Sequence, residues 1–387
     1  MHPPTTAADI DAIIGTPPRM VLLKATDTLD EGCRTVLAAA PVAALGIRDP
    51  TGTPHTVLVG GTAGFARAES PTRLSLPMPD GAPTPAPGTG ASMVFLIPGL
   101  GETFRLNGTA AEVRDGRLAI DMAEAYLHCA RCVLRSKLWT AVPDPTATVP
   151  TNPDATPTTP TAVPAIPTAV PAIPDAAPGI PTVPAAPADP ADGPLSAPGV
   201  AAFLAASPFA LISSRDHNEQ ADTSPRGDGP GLLQVLDGAT VALPDRRGNK
   251  RADTLHNLMT CADVSLAALV PGRGEVVHLS GTAQVSTDPA LLATMALRDR
   301  PPHAAIVMTV EHARLARSAA AEALWRGPRD PEQLPDLNAV AAAHLAANTQ
   351  GDRATRLLSR AMAAAPKALT RRAMDAAYRS ALRDEGY

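Results

Sequence analysis

Aromatic side chains, cysteine and long apolar runs are scarce in this chain of 387 residues. Aromatic residues make up 3% of the sequence, and only four residues are cysteine. No run of 18 apolar residues occurs, and the first residues lack a charged segment followed by an apolar one. These absences exclude a disulfide-rich secreted scaffold and predict no membrane partner. We expect a cytoplasmic protein with reduced thiols.

The chain also lacks an excess of positive charge, since its formal net charge is -5. Such a balance gives no global attraction to phosphate and predicts no nucleic-acid partner. It leaves room for a local basic pocket.

A long internal repeat is the strongest positive signal. Residues 97–110 (IPGLGETFRLNGTA) return as residues 270–283 (VPGRGEVVHLSGTA), with eight of fourteen positions identical. The two tryptophans, Trp139 and Trp325, each follow a leucine at the end of a half. Further pairs at a shift of 167 residues are Pro41/Pro208, Arg48/Arg215, Asp49/Asp216, Leu76/Leu243 and Pro77/Pro244. The repeat predicts two domains with one fold.

Between the halves lies a proline-rich segment, with seventeen prolines in residues 143–198 and a seven-residue repeat (TAVPAIP) at 161–174. Proline fixes φ and removes a backbone donor, so this segment predicts a disordered, polyproline-leaning spacer. A role as a ligand for a proline-binding domain stays open. The predicted division is a first domain at 1–141, a linker at 142–198, a second domain at 199–327 and a helical extension at 328–387.

Each half is dominated by short β-rich segments punctuated by Gly, Pro and Asp, which predicts a mainly β fold with α-helices attached (α+β). The predicted strands are 42–47, 56–59, 73–76, 93–97, 103–110, 209–213, 231–235, 240–243, 264–270 and 276–285. The predicted helices are 6–14, 29–37, 253–259, 337–348, 353–364 and 369–383. The last three form an amphipathic extension that packs on the domains or docks a partner.

The second half carries two cation-bearing motifs, TSPRGD at 223–228 and PDRRGNKR at 244–251. Arginine offers a bidentate fork, lysine a point charge and serine a hydroxyl, while glycine lets backbone amides come close, so the set suits a phosphate. Taken singly, each motif also fits a turn with solvated charges.

The order of these motifs, followed by VPGRGE and LSGTA, resembles the pyridoxamine 5'-phosphate oxidase-like family of FMN-binding split β-barrels. The resemblance covers residues 200–309, and in the first half the lead-in 10–49 and the closing segment 126–139 (YLHCAR to RSKLW) are similar to that family. In this family two barrels pair and FMN lies between them. The resemblance implies FMN-binding roles for Ser224, Arg226, Gly227, Arg246, Asn249, Lys250, Arg251, Arg135, Ser136 and Trp139.

The halves depart from the family pattern in complementary ways. At the shift of 167, Ser224, Pro225 and Arg226 correspond to Val57, Leu58 and Val59, so the first half lacks the phosphate side. The second half keeps Leu324 and Trp325 but lacks the Arg-Ser-Lys of the closing segment. We therefore predict two tandem split β-barrels that form an intramolecular, monomeric pseudo-dimer with one working groove and an empty mirror-related groove.

The resemblance implies an FMN-dependent oxidoreductase, although no catalytic residue, substrate or electron donor can be assigned from the residues. A non-catalytic protein that binds flavin, deazaflavin or haem, with a partner-docking tail, is the alternative. The C-x-x-C of Cys129 and Cys132 suggests zinc or a redox dithiol, but no second pair and no βαβ setting accompany it. Buried thiols on a strand, with no metal, are the prediction there.

Overall fold

The computed structural model describes residues 4–79, 81–139, 190–326, 334–351 and 353–387. Most of the predicted linker therefore lies outside the described residues. The described chain forms two antiparallel sheets of seven strands each, so the α+β split-barrel fold is confirmed. Both sheets have the same strand order once equivalent strands are matched, as a repeated unit would give.

The first sheet has the order β2-β1-β5-β6-β7-β4-β3. Its strands are β1 Val42–Arg48, β2 Pro54–Gly60, β3 Arg67–Ser70, β4 Arg73–Pro77, β5 Gly90–Leu96, β6 Thr103–Arg114 and β7 Arg117–His128. The second sheet has the order β10-β11-β14-β13-β12-β8-β9. Its strands are β8 Phe209–Arg215, β9 Ala221–Gly227, β10 Gln234–Val235, β11 Thr240–Asp245, β12 Asp263–Leu269, β13 Glu275–Ser286 and β14 Ala304–Arg317.

Strand registers repeat at the shifts read from the sequence. The pair Val42 and Gly60 in the first sheet corresponds to Phe209 and Gly227 in the second, a shift of 167 for both partners. The registers of β5 and β12 against these strands follow the shift of 173. Because register decides which face of a strand is buried, this agreement shows that the two halves share one packing pattern.

A matched irregularity in the longest strands also repeats. The pairing shifts at Gly108 in β6 and at Gly281 in β13, which are 173 residues apart. A Cβ at either position would lie 2.1 Å from a carbonyl oxygen of the opposite strand, that of Asp121 or of Thr309. Only glycine allows this close approach, so the bulge requires glycine in both halves.

Each barrel has its own apolar core, and a third apolar cluster joins the two barrels. The rings of Trp139 and Trp325 meet in the joining cluster, 6.1 Å apart. Trp139 Nε1 donates to the Leu100 carbonyl at 2.5 Å, and Trp325 Nε1 donates to the Arg273 carbonyl at 2.6 Å. The two acceptors are equivalent in the repeat, so the barrels pack as a pseudo-symmetric pair.

Buried hydroxyl pairs cross the same interface in a symmetric way. Thr56 Oγ1 lies 2.8 Å from Ser265 Oγ, and Ser92 Oγ lies 2.7 Å from Thr223 Oγ1. The repeat relates these two contacts to each other. Thr223 is the counterpart of Thr56, and Ser265 is the counterpart of Ser92. The pairing satisfies polar groups that the interface buries.

The helices pack around the barrels and between them. They are α1 Ala7–Ile14, α2 Arg19–Leu22, α3 Glu31–Ala39, α4 Arg131–Arg135, α5 Val200–Ala206, α6 Asp253–Leu258, α7 Pro289–Thr294, α8 Ala319–Arg326, α9 Leu337–Ala347, α10 Arg353–Ala363 and α11 Lys367–Glu385. Chain order does not decide where they pack, because Ile10 of α1 lies in the core of the second barrel while Val340 of α9 lies in the core of the first. No described helix is long and apolar enough to cross a membrane.

Candidate functional site

A small cavity lies where the end of the first barrel meets the edge of the second. We call this cavity the groove. Its first-barrel residues are His128, Cys129, Arg131, Cys132 and Arg135. Its second-barrel residues are Pro225, Arg226, Gly227, Leu232, Pro244, Arg246, Arg247, Gly248 and Asn249. Both halves of the chain therefore contribute to one site.

Gly227, at the end of β9, sets the distance between the two walls. A Cβ at this position would lie 1.9 Å from the carbonyl oxygen of Cys132 in α4. Any side chain here would push α4 away from β9, so glycine allows the first barrel to close the groove. Cys132 lies in α4 and not on a strand, which corrects the sequence prediction, because β7 ends at His128.

Five arginines line the groove: Arg131, Arg135, Arg226, Arg246 and Arg247. Only part of this charge is neutralised by carboxylates of the second barrel. Arg246 Nε donates to Asp228 Oδ2 at 2.6 Å, and Arg226 Nη1 lies 3.4 Å from Asp245 Oδ1. Burial raises the pKa of Asp245, so the protein environment disfavours its charged form.

Arg226 retains hydrogen-bonding capacity. Its Nε is buried and has no hydrogen-bond partner among the described residues. A buried guanidinium nitrogen without a partner is costly, and a phosphate oxygen would satisfy it. The donors around Arg226 are therefore suited to an anionic group.

The C-terminal segment reaches the mouth of the groove. Arg131 Nη1 lies 3.0 Å from one oxygen of Glu385, and Arg135 Nε donates to the other oxygen at 3.1 Å. Tyr387 Oη donates to Asp228 Oδ1 at 2.8 Å, and the Arg135 guanidinium lies 5.3 Å from the Tyr387 ring centre. A carboxylate from the end of the chain thus occupies part of the cationic surface.

His128 stands at the inner end of the groove. Two donors, Arg105 Nη1 at 3.4 Å and Asn249 Nδ2 at 3.5 Å, approach its Nδ1, so Nδ1 is the acceptor and Nε2 carries the proton. Burial, together with the charges of Arg105 and Arg226, holds its pKa well below the ordinary value. The imidazole is therefore neutral at pH 7. The sequence pattern includes His128 in the closing segment (YLHCAR) but assigns it no role.

A buried ionic network lies behind the groove, between the barrels. Arg105 is 1% exposed and forms an ion pair with Asp222. Ser224 Oγ donates to Asp222 Oδ2 at 2.9 Å. Ser224 is thus committed to an internal carboxylate, and its side chain does not line the groove.

Tyr126 is enclosed by two guanidinium groups of the same network. Arg105 lies 5.0 Å and Arg251 lies 3.9 Å from its ring centre, and its hydroxyl donates to Asp253 Oδ2 at 3.1 Å. Arg251 also donates to Asp253 and to Glu124, both at 3.0 Å. These contacts tie the closing segment of the first barrel to α6 of the second.

The structure brings together half of the predicted site residues: Arg135, Arg226, Gly227, Arg246 and Asn249 line the groove. Ser224 and Arg251 lie in the network behind it. Lys250 Nζ faces Gly15 at the end of α1, where a Cβ would lie 2.8 Å from it. Ser136 Oγ donates to the Val133 carbonyl at 3.0 Å, and Trp139 packs in the joining cluster, so neither lines the groove.

The mirror-related position is apolar. Val59, the counterpart of Arg226, is fully buried in the first core. Leu58 lies in the joining cluster with Ala320 and Leu324 of α8. Apolar side chains therefore pack at the positions that Pro225 and Arg226 occupy in the other half.

A family model described as pyridoxamine 5'-phosphate oxidase matches residues 197–317. This match spans β8 to β14 and confirms the sequence resemblance for the second barrel. No curated protein matches the chain.

Several solved structures are similar to one barrel's length of the chain. HupZ from Group A Streptococcus is 18% identical with a TM-score of 0.25, and the match covers 30% of this chain and 90% of that chain. A protein related to general stress protein 26 from Clostridium acetobutylicum is 14% identical with a TM-score of 0.24, covering 30% and 85%. An F420 reductase is 11% identical with a TM-score of 0.24, covering 29% and 94%.

Proposed function

We propose that this chain, whose second barrel matches the pyridoxamine 5'-phosphate oxidase family, is an FMN-dependent oxidoreductase that holds its cofactor in the groove. The single observation that carries the proposal is the convergence of five arginines from both barrels on one cavity, where a buried Arg226 nitrogen has no partner within the part of the chain that the structure describes. A flavin mononucleotide carries a phosphate that matches these donors.

The groove arginines form two sets, one that would bind the phosphate and one that would close over the cofactor. Arg226 and Arg246 of the second barrel would hold the phosphate by charge-assisted hydrogen bonds. Arg131 and Arg135 would close over the cofactor from the first barrel, in place of their present contact with Glu385. Gly227 keeps these two sets of arginines close together.

The flavin would supply hydride or electron transfer, while the chain supplies binding, orientation and electrostatics. Neutral His128 would donate a hydrogen bond from Nε2 and would not act as an acid at pH 7, because its pKa is held well below the ordinary value. The arginines would stabilise negative charge that develops near them.

Titration of the purified chain with FMN, followed by anaerobic addition of NADH or NADPH, tests the proposal. We expect saturable binding and bleaching of the bound flavin's visible absorption by one of the donors. Binding without reduction by either donor would favour the non-catalytic alternative. If FMN does not bind, the same titration with F420 and with haem shows whether the groove serves another cofactor, and the FMN proposal is then wrong.

A further inference from the structure

A second cluster of polar side chains shares no residue with the groove. Asp30 precedes α3, Cys33 lies in its first turn, and His344 lies on α9. The sequence separates Cys33 from His344 by 311 residues, yet Cys33 Sγ lies 3.8 Å from His344 Nε2. His344 Nε2 lies 3.1 Å from Asp30 Oδ2, and the three ligand atoms all lie within 4.8 Å of one another.

These separations match those of a tetrahedral zinc site. With zinc bonds of about 2.3 Å to sulfur and about 2.0–2.2 Å to nitrogen and oxygen, the ligand atoms should be about 3.5 Å apart for sulfur and nitrogen and about 3.3 Å apart for nitrogen and oxygen. The observed distances of 3.8 Å and 3.1 Å differ from these by a few tenths of an ångström. The two separations that involve His344 Nε2 thus suit a shared zinc ion, and Cys33 Sγ and the Asp30 carboxylate lie within 4.8 Å of each other.

Two of the three side chains are also oriented through an atom that would not bind the metal. His344 Nδ1 lies 3.2 Å from the Lys24 carbonyl, so this nitrogen carries a proton and Nε2 faces the cluster. Asp30 Oδ1 accepts the Cys33 backbone N–H at 2.8 Å, which leaves Oδ2 toward His344. Such supporting contacts are typical of metal-binding imidazoles and carboxylates.

One side of the cluster is buried and the other side reaches solvent, as expected for a metal ion whose fourth ligand is water. Cys33 is fully buried and His344 is 3% exposed, while the side chain of Asp30 is 39% exposed. We propose that Asp30, Cys33 and His344 bind one zinc ion, with water as the fourth ligand on the Asp30 side. Binding replaces the thiol proton of Cys33, which is released to solvent, by a zinc–sulfur bond.

Such a site would fasten the helical extension to the first barrel. Leu337 and Val340 of α9 already pack in the first core, near α3. The chain continues from α9 through α10 and α11 to Glu385 at the groove. A zinc ion between α3 and α9 would thus fix the start of the segment whose end contacts the groove arginines.

Measurement of zinc in the full chain tests this proposal. After equilibration with micromolar zinc and desalting, we expect about one zinc per chain, and with cobalt in its place a near-ultraviolet thiolate-to-cobalt absorption band. Cys33→Ser and His344→Gln should lose the metal, whereas Cys129→Ser, which alters the C-x-x-C pair, should keep it.

The alternative for the same atoms is an ion pair between Asp30 and a protonated His344 beside a neutral thiol. A wild-type chain that stays folded by circular dichroism and holds no zinc would establish this alternative and overturn the proposal. Zinc lost from Cys129→Ser and kept in Cys33→Ser would overturn it as well. If Cys33→Ser fails to fold, a cobalt band that is absent from the wild type, or zinc that is kept by a folded His344→Gln, would overturn the proposal.

Discussion

At the scale of single residues, the arginines between the barrels differ in the carboxylates that they contact. Arg105, Arg226 and Arg251 all lie between the barrels, but their surroundings differ. Arg105 and Arg251 are held by Asp222, Asp253 and Glu124. Arg226 has one carboxylate 3.4 Å away and an Nε without a partner among the described residues, so a ligand anion would complete its hydrogen bonds.

Replacement of Arg226 by alanine should weaken FMN binding without unfolding the chain. A hydrogen bond to a charged group contributes about 1.5–3 kcal/mol, so the dissociation constant should rise roughly 10- to 150-fold. The measurement is a fluorescence titration with FMN. Arg317→Ala is the matched control, because this arginine is 78% exposed on the mirror-related side and should leave the affinity unchanged. Equal losses from both variants would contradict the assignment.

His128 predicts a pH dependence of stability. Its pKa in the folded chain lies below the ordinary value, so the unfolded chain binds the proton first as the pH falls. Stability should therefore decrease on acidification below about pH 6.5, with a slope that approaches about 1.4 kcal/mol per pH unit for this group. The pKa of His278 is lowered mainly by burial and adds a contribution of the same sign.

Urea unfolding at pH 7, 6 and 5 checks this dependence. His128→Gln should flatten the wild-type slope, because the group that takes up the proton on unfolding is removed. His217→Gln, at an exposed position, serves as the control. If the slope is unchanged in His128→Gln, the pKa of this histidine is the same in the folded and the unfolded chain, and the prediction is wrong.

At the scale of elements, α1 shows that chain order and packing order differ. Ile10 is fully buried in the second core, where it joins residues of α6 such as Leu255, while Thr6 and Asp9 form a capping box at the start of the helix. This helix therefore packs on the second barrel, although it precedes the first barrel in the sequence. His256 Nε2, 3.1 Å from Asp11, adds a polar contact at the same junction.

Ile10→Ala should consequently destabilise the second barrel. Loss of a buried isoleucine costs about 2–5 kcal/mol. The measurement is thermal unfolding followed by circular dichroism. Met20→Ala, at a position that is 47% exposed, should change the free energy of unfolding by less than about 0.5 kcal/mol. Similar small effects from both variants would mean that α1 does not dock on the barrel.

Sequence patterns predicted six of the eleven described helices, namely α1, α3, α6, α9, α10 and α11, and most strands, with ends that differ by a few residues. They missed the short helices α2, α4, α5, α7 and α8 and the four-residue strand β3. They missed β9, because Pro225 and Gly227 are typical of turns; β9 lies at a sheet edge, where proline is tolerated. They also missed β7 and β14, which contain many good helix formers. Both strands have partners on two sides, and this pairing overrides local propensity.

The groove was predictable only in part, because several of its contacts join residues that are far apart in the sequence. Arg226 and Arg135 were found because a family resemblance joined the two halves. Glu385 could not be found, since its contact with Arg135 spans 250 residues and leaves no local pattern. The network that holds Ser224 and Arg251 likewise depends on contacts between barrels.

At the scale of the whole molecule, the C-terminal segment and the cofactor would compete for the same arginines. Glu385 contacts Arg131 and Arg135 at the mouth of the groove. Glu385→Gln removes this negative charge, so FMN should bind more tightly, by about 1 kcal/mol or roughly fivefold. Glu322→Gln, on α8 of the other side, is the control and should have no effect. Weaker binding by Glu385→Gln would mean that the carboxylate supports the cofactor.

We predict that the two barrels of one chain form one groove that binds flavin. The measurement that tests it most directly is the amount of flavin released per chain, made on a fraction whose mass is determined by light scattering after FMN addition and desalting. We expect one flavin per chain in a particle with the mass of one chain. Two flavins per chain, flavin only in a dimer, or no flavin on a folded chain would contradict this prediction.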